Sequence, residues 1–185
     1  MTRAELEHAI RAACDVADDS AVYVFGSQAI LGEHPEAPLE LRQSMEADVA
    51  PVTRPEMADR IDGALGELSP FHTTHGFYVH GLSIEAATLP DGWRDRVVPV
   101  TGPATRGKIG LCLEGHDLAA SKLAAFRDKD RDFVRVLLRQ KLVDPPTLLR
   151  RVAALYIAAE LRARLEAWIA ITARELGIGS RPRSS

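Results

Sequence analysis

The chain has 185 residues, 46% of them hydrophobic and 26% charged, an ordinary globular balance with enough length to bury a core. No apolar run approaches the roughly 20 residues of a membrane span, the charged start MTRAELEHAIRAAC does not read as a signal peptide, and Cys14 and Cys112 lack CxxC or Cys/His ligand spacing, which argues against a disulfide framework or zinc site and predicts a cytoplasmic setting. The net charge of −3 is uneven: residues 1–114 hold 9 Lys/Arg and 18 Asp/Glu, a net of −9, and residues 115–185 hold 14 and 8, a net of +6.

Thr2, followed three residues later by Glu5, predicts a capping box opening a helix over 3–16. AVYVF (21–25) is apolar, β-branched and aromatic, and predicts a buried strand. It ends at Gly26-Ser27, and QAILG continues as a short helical turn. Residues 33–41, with two prolines and three glutamates, predict an exposed loop. A second strand lies around MEADV, and Pro55 opens a helix over PEMADRIDGALGEL. HGFYVHGLSIEAATLP (75–90) predicts a strand and then a turn or hairpin, and RVVPV (96–100) and IGLCL (109–113) two more strands. From Asp117, DLAASKLAAFRDKDRDFVRVLLRQKLV reads as one continuous helix that Pro145-Pro146 breaks, with a further helix or two over 147–176. The order predicts an α/β (α+β) layered fold: a core over 1–114, a helical subdomain over 115–176 and a disordered tail over 177–185.

Two short elements carry the chemistry. A strand ending in Gly26-Ser27 lets backbone approach a phosphate, because glycine has no side chain to obstruct it. The Ser27 hydroxyl and the N–H groups of the following turn then suit phosphate oxygens. Glu46 and Asp48, two apart on a strand, share one face, with Met45, Ala47 and Val49 on the other. Paired carboxylates repel, and a divalent cation supplies the counter-charge. Alone, the first element is equally a plain turn and the second a solvated strand face. Their order and separation join them into a candidate metal and nucleotide site.

A glycine–serine turn followed by alternating acids resembles the polymerase-β-like nucleotidyltransferase signature. More closely, GSQAILG, RQSMEADV, DRIDGALGELSPFHTTHGFYVHG and HDLAASKLAAFRDKDRDFV together resemble the DUF6036 nucleotidyltransferases, relatives of the AbiEii-type toxins of type IV toxin–antitoxin systems, over about residues 20–145. The resemblance implies a mixed sheet with flanking helices and a C-terminal helical subdomain that completes the site. It implies Glu46 and Asp48 as ligands of Mg²⁺ (or Mn²⁺) and, with Lys122 and Asp130, as catalytic residues. Gly26, Ser27, Gln28, Arg42, Ser44, Arg127 and Lys129 are the implied nucleotide-binding set. The implied substrates are an NTP and the 3′ end of tRNA, with a cognate antitoxin protein as partner and no membrane. Two departures stand out: Glu46 replaces the usual first aspartate, and the strand FYVHGL offers His80, with Glu85 just past it, where polymerase-like members carry a third carboxylate.

Lys122 lies in an apolar stretch, where it is either a phosphate ligand or a snorkelling surface lysine. If the helix is continuous, Lys122 and Lys129 share a face, and the DKDRD charges are otherwise a solvated ion-paired face. The six histidines show no metalloprotease-type spacing; Asp59, Asp62 and Glu67 read as helix-surface or capping residues, and Trp93 and Trp168 as packing. Arg150, Arg151, Arg162 and Arg164 mark the basic block where RNA phosphates would dock. Transfer to a protein or small molecule, and a catalytically inactive binding module, remain as rival readings.

Overall fold

A computed structural model describes residues 1–178. Helix α1 (Arg3–Ala17) opens on the predicted box: Thr2 Oγ1 accepts from the Glu5 N–H at 3.3 Å, and the Glu5 carboxylate takes the Thr2 N–H at 2.6 Å. Its buried residues Leu6, Ala9, Ile10, Ala13, Cys14 and Ala17 recur at helical spacing and form one apolar stripe.

Five strands make one mixed sheet in the order β3-β2-β1-β5-β4. They are β1 (Ala21–Phe25), β2 (Glu46–Pro51), β3 (Tyr78–Gly81), β4 (Val98–Val100) and β5 (Ile109–Cys112). β1 pairs antiparallel with β2 and parallel with β5; β2 and β3 are parallel, β4 and β5 antiparallel. Gly110 on β5 lets α1 settle on the sheet, because a Cβ there would lie 2.3 Å from Ile10 Cδ1. Val22, Val24, Ala47, Val49 and Val79 are fully buried, so β1, β2 and β3 commit one face to the core. Asp19 ties β1 to β2 by accepting the N–H groups of Ser20, Ala21 and Thr53; these outweigh the upward push of burial and hold its carboxyl below the usual range.

A parallel β2–β3 pair needs a crossover, and the chain supplies it with α3 (Ala58–Leu65) and a helix the sequence reading did not anticipate, α4 (Pro70–His75). Ser69 caps α4 by accepting the His72 N–H at 3.1 Å, with Pro70 in the first turn. After β3 the chain forms a short 3₁₀ turn, Ile84–Ala86, and no hairpin. The turn after β1 leads into α2 (Ile30–Glu33). The loop at 33–41 is not wholly exposed: Ala37 and Leu41 are buried and anchor it, while Leu39 faces solvent.

The chain divides into two compact units, each taken by itself. The first, Met1–Ala87 with Trp93–Glu114, holds the sheet and α1–α4. The second holds Thr88–Gly92 and the chain from Gly115 onward, that is α5 (Gly115–Ala125), α6 (Asp128–Arg139), α7 (Pro145–Ala153) and α8 (Ala159–Glu175). The segment 88–92 joins it through the Asp91 N–H, which donates to the Ala154 carbonyl at 2.9 Å.

The continuous helix expected from Asp117 is two helices. Phe126 adopts a left-handed φ of 52° and Arg127 is extended, so α5 stops and α6 starts on a new axis. Arg131 Nη1 holds the break by donating to the Phe126 carbonyl at 3.0 Å. Lys122 and Lys129 therefore do not share a helix face. Of the tail expected to be disordered, Gly177 and Ile178 close α8 with N–H bonds to the Arg174 and Ala173 carbonyls at 3.0 and 2.8 Å; the rest, 179–185, lies outside the described residues. Among the described residues no helix is long and apolar enough to cross a membrane. Cys14 and Cys112 are free and buried, and burial pushes their thiols up to about 11 and about 12.

Candidate active site

The first unit gathers one cluster around the end of β1. Asp48 on β2 stands in register with Phe25, the residue before the Gly26-Ser27 turn. The backbone at Gly26 crosses the Asp48 carboxylate so closely that a Cβ there would lie 1.9 Å from Asp48 Oδ2, and its φ is +72°. Both facts require glycine, one by contact and one by conformation. The turn and the acidic strand, recognised separately in the sequence, are thus one structure.

Side chains alternate along β2 as the strand period demands. Ala47 and Val49 are buried, while Glu46 and Asp48 keep about a third and a fifth of their side-chain surface, 33% and 22%. Met45, expected on the buried side, is exposed because it precedes the strand. The parallel register sets Tyr78 beside Glu46 and His80 beside Asp48. His80 Nδ1 lies 3.0 Å from Glu46 Oε1 and 3.5 Å from Asp48 Oδ1. On its other side, Nε2 lies 3.9 Å from Asp62 Oδ1, carried by α3. One ligand atom each from Glu46, Asp48 and His80 lies within 4.8 Å of the other two. The negative field reaches Tyr78, whose phenol is pushed above its ordinary value by burial, then by Glu46, Glu67 and Asp48.

These residues fit a divalent cation on three counts. The donor set is two carboxylates and an imidazole, the donor atoms converge, and the backbone opposite them is cleared by a glycine.

Several predicted binding residues also hold the frame of this cluster. Gln28 is fully buried, and its Nε2 donates to the Ser44 carbonyl at 3.1 Å, clamping the turn to the lead-in of β2. Ser44 Oγ accepts the Glu46 N–H at 3.1 Å and fixes where the acidic strand begins. The Arg42 carbonyl accepts from the Met1 ammonium. Ser27 is half-buried in the turn itself. Glu85 is absent from the converging donor set: it lies in the turn beyond β3, where Ser83 Oγ and the carboxylate bond one another, and that bond holds its carboxyl below the usual range.

The second unit holds a different cluster. Asp130 is fully buried in the first turn of α6. Arg127 Nε donates to its Oδ2 at 2.6 Å, and Lys122 Nζ, from α5, lies 3.6 Å from its Oδ1. Burial pushes the Asp130 carboxyl up, but the Arg127 hydrogen bond and the Lys122 charge win, and it sits below the usual range. Lys122 also lies over the Phe133 ring, 4.7 Å from its centroid. Lys129, by contrast, is exposed. A second buried pair, Arg151 Nε with Asp117 Oδ1 at 2.9 Å, ties α7 to α5. Arg131 and Arg164 both stack on Phe126, with guanidinium carbons 4.8 and 4.3 Å from the ring centroid.

Sequence reading missed Tyr78 and Asp62 as neighbours of the acidic pair. Only the period-2 pattern of YVHG hinted that Tyr78 and His80 share a face; nothing local put α3 beside them.

A mixed sheet with flanking helices, setting a Gly-Ser turn over alternating acids, fits an α+β nucleotidyltransferase fold. The chain belongs to the DUF6036 family, described as nucleotidyltransferases of unknown function, whose model matches residues 4–169. No curated protein and no solved structure matches the chain.

Proposed function

We propose that this chain transfers a nucleoside monophosphate from an NTP to an acceptor hydroxyl, with the 3′ end of tRNA as acceptor, and acts as the toxin of a toxin–antitoxin pair. The observation that carries the transfer reading is the contact at Gly26: phosphate-approaching backbone crosses a carboxylate of a converging donor set. In the reaction the acceptor oxygen bonds to the α-phosphorus, the bond between the α- and β-phosphates breaks, and pyrophosphate leaves. A divalent ion, Mg²⁺ or Mn²⁺, held by Glu46 and Asp48 would supply positive charge to the triphosphate oxygens. Ser27 and the backbone N–H groups after Gly26 bind phosphate oxygens, and Gln28 and Ser44 keep that turn seated on β2.

In the helical unit, Lys122 serves as a phosphate-binding cation. Asp130, buried and bonded to Arg127, is its orienting partner, since a fully buried carboxylate has no surface to offer an acceptor. Support for tRNA comes from the AbiEii-like text of the sequence and from the +6 balance of residues 115–185. Stacked, exposed Arg164 and exposed Arg150 suit phosphates and bases. Arg151 pairs with buried Asp117 and Arg162 donates to the Leu155 carbonyl, so Arg150 and Arg164 lead the docking set.

The test offers each α-labelled NTP with a divalent cation and either total tRNA or cell lysate. Label on tRNA 3′ ends that vanishes in Asp48→Ala is the expected result. Label on a protein or small molecule would move the acceptor; labelling that survives Asp48→Ala would remove the metal assignment. No label anywhere would make the chain a binding module.

A further inference from the structure

The sequence offers a histidine where related polymerases carry an acid, and the geometry around it is that of a ligand with its own support. Nδ1 faces both carboxylates, 3.0 Å from Glu46 and 3.5 Å from Asp48, while Nε2 faces Asp62 at 3.9 Å. The parallel register of β2 and β3 leaves the imidazole no other side of the sheet to occupy. Metal-ligating histidines turn one ring nitrogen to the cation and donate the other to a carboxylate; here Nε2 points to Asp62 from 3.9 Å, so a small approach of the Asp62 side chain completes that bond.

We propose that His80 is a direct metal ligand through Nδ1, that Asp62 is the residue positioning it, and that this nitrogen makes the site select Mn²⁺ over Mg²⁺. This rests on the nucleotidyltransferase reading of the same site and deepens it. Mg²⁺ demands near-ideal octahedral oxygen coordination and keeps most of its waters, so an imidazole gains it little. First-row transition cations accept imidazole more readily than Mg²⁺ does, Mn²⁺ being the weakest binder of that series, so one imidazole beside two carboxylates tilts the site from Mg²⁺ toward Mn²⁺. Asp62 sits on α3, where the Gly66 N–H bonds its carbonyl at 2.8 Å and fixes its backbone beside β3. The alternative is an imidazole that merely hydrogen-bonds the acidic pair, and it predicts no metal–nitrogen bond.

The experiment uses the full chain, freed of metal by chelator and titrated with Mn²⁺ while the free-ion resonance is followed, with and without Mg²⁺ competition. Nitrogen hyperfine coupling on the bound Mn²⁺ is then measured. Wild type should show nitrogen coupling, and His80→Asp should abolish it and lower the Mn²⁺/Mg²⁺ affinity ratio. Asp62→Asn should keep the coupling but weaken Mn²⁺ binding about 10- to 100-fold. His80→Gln, checked for folding by its melting curve, repeats the test should the aspartate variant fail to fold. Wild-type Mn²⁺ bound without nitrogen coupling, or an unchanged affinity ratio in both variants, overturns the proposal. Label transfer measured in parallel separates the two ideas: transfer without nitrogen coupling removes only the ligand role of His80, whereas absence of any bound divalent ion removes both.

Discussion

The two charge clusters of this protein are built in opposite ways. On β2, Glu46 and Asp48 stand side by side, part-exposed, with a histidine between them. In the helical unit, Asp130 is fully buried and has both oxygens covered by Lys122 and Arg127. The first concentrates like charge, an arrangement that costs stability and creates affinity for a cation. The second settles its charge internally, and its removal would take the shared carboxylate from Lys122 and Arg127. A carboxylate's surroundings thus tell binding from bracing where its presence in a motif does not.

Substitutions that reverse this contrast test it. Asp48→Ala should lower nucleotide transfer at least about a hundredfold, since a lost metal ligand removes several kcal/mol of transition-state charge stabilisation at 1.36 kcal/mol per decade. Its melting temperature should hold or rise; a clear fall would place Asp48 with the bracing class. Asp130→Ala should instead lose about 3 kcal/mol in a urea titration, the low end for breaking a buried pair, because Arg127 is 62% exposed and rehydrates. Gly26→Ala should lose about 1–3 kcal/mol from its glycine-only backbone conformation alone, φ 72° with ψ −171°. It should lose transfer activity as well, as the methyl displaces the Asp48 carboxylate.

Acid should act on the second cluster in a definite direction. The folded Asp130 carboxyl lies below its ordinary 3.8, so its stabilisation is whole above that pH and is lost as pH falls through the folded value. Urea midpoints of wild type and Asp130→Asn should therefore differ at neutral pH and converge below about 3.8; a gap that persists would mean the asparagine acts through packing. Lys129→Ala should change stability by less than about 0.5 kcal/mol, as an exposed side chain without structural duty does. Any loss of activity in that variant then reports on substrate.

The elements that the sequence displayed best were those with local causes. The Thr2–Glu5 box, the AVYVF run and the Ala47/Val49 alternation are each legible within a few residues. Helix α4 escaped notice because PFHTTH has no apolar period, although Ser69-Pro70 marks its start. The break at Phe126 was hidden because every flanking residue suits a helix, and no glycine marks the left-handed position. For the site, Gly26, Glu46 and Asp48 were visible as types and spacings. That Gly26 crosses Asp48, that His80 reaches Glu46, and that Asp62 stands behind it depend on antiparallel and parallel registers between strands and on a crossover helix. Such relations have no local signature.

The in-register pairing of Asp48 with His80 has a consequence for how such a protein can change over generations. The backbone ladder, not the imidazole, decides that whatever side chain occupies position 80 projects over the acidic pair. A histidine codon lies a single base from an aspartate codon, so a lineage can exchange a nitrogen for an oxygen at that spot without rebuilding the sheet. Under the proposed ligand role, position 80 is a place where dependence on one ion can be traded for another in one mutational step.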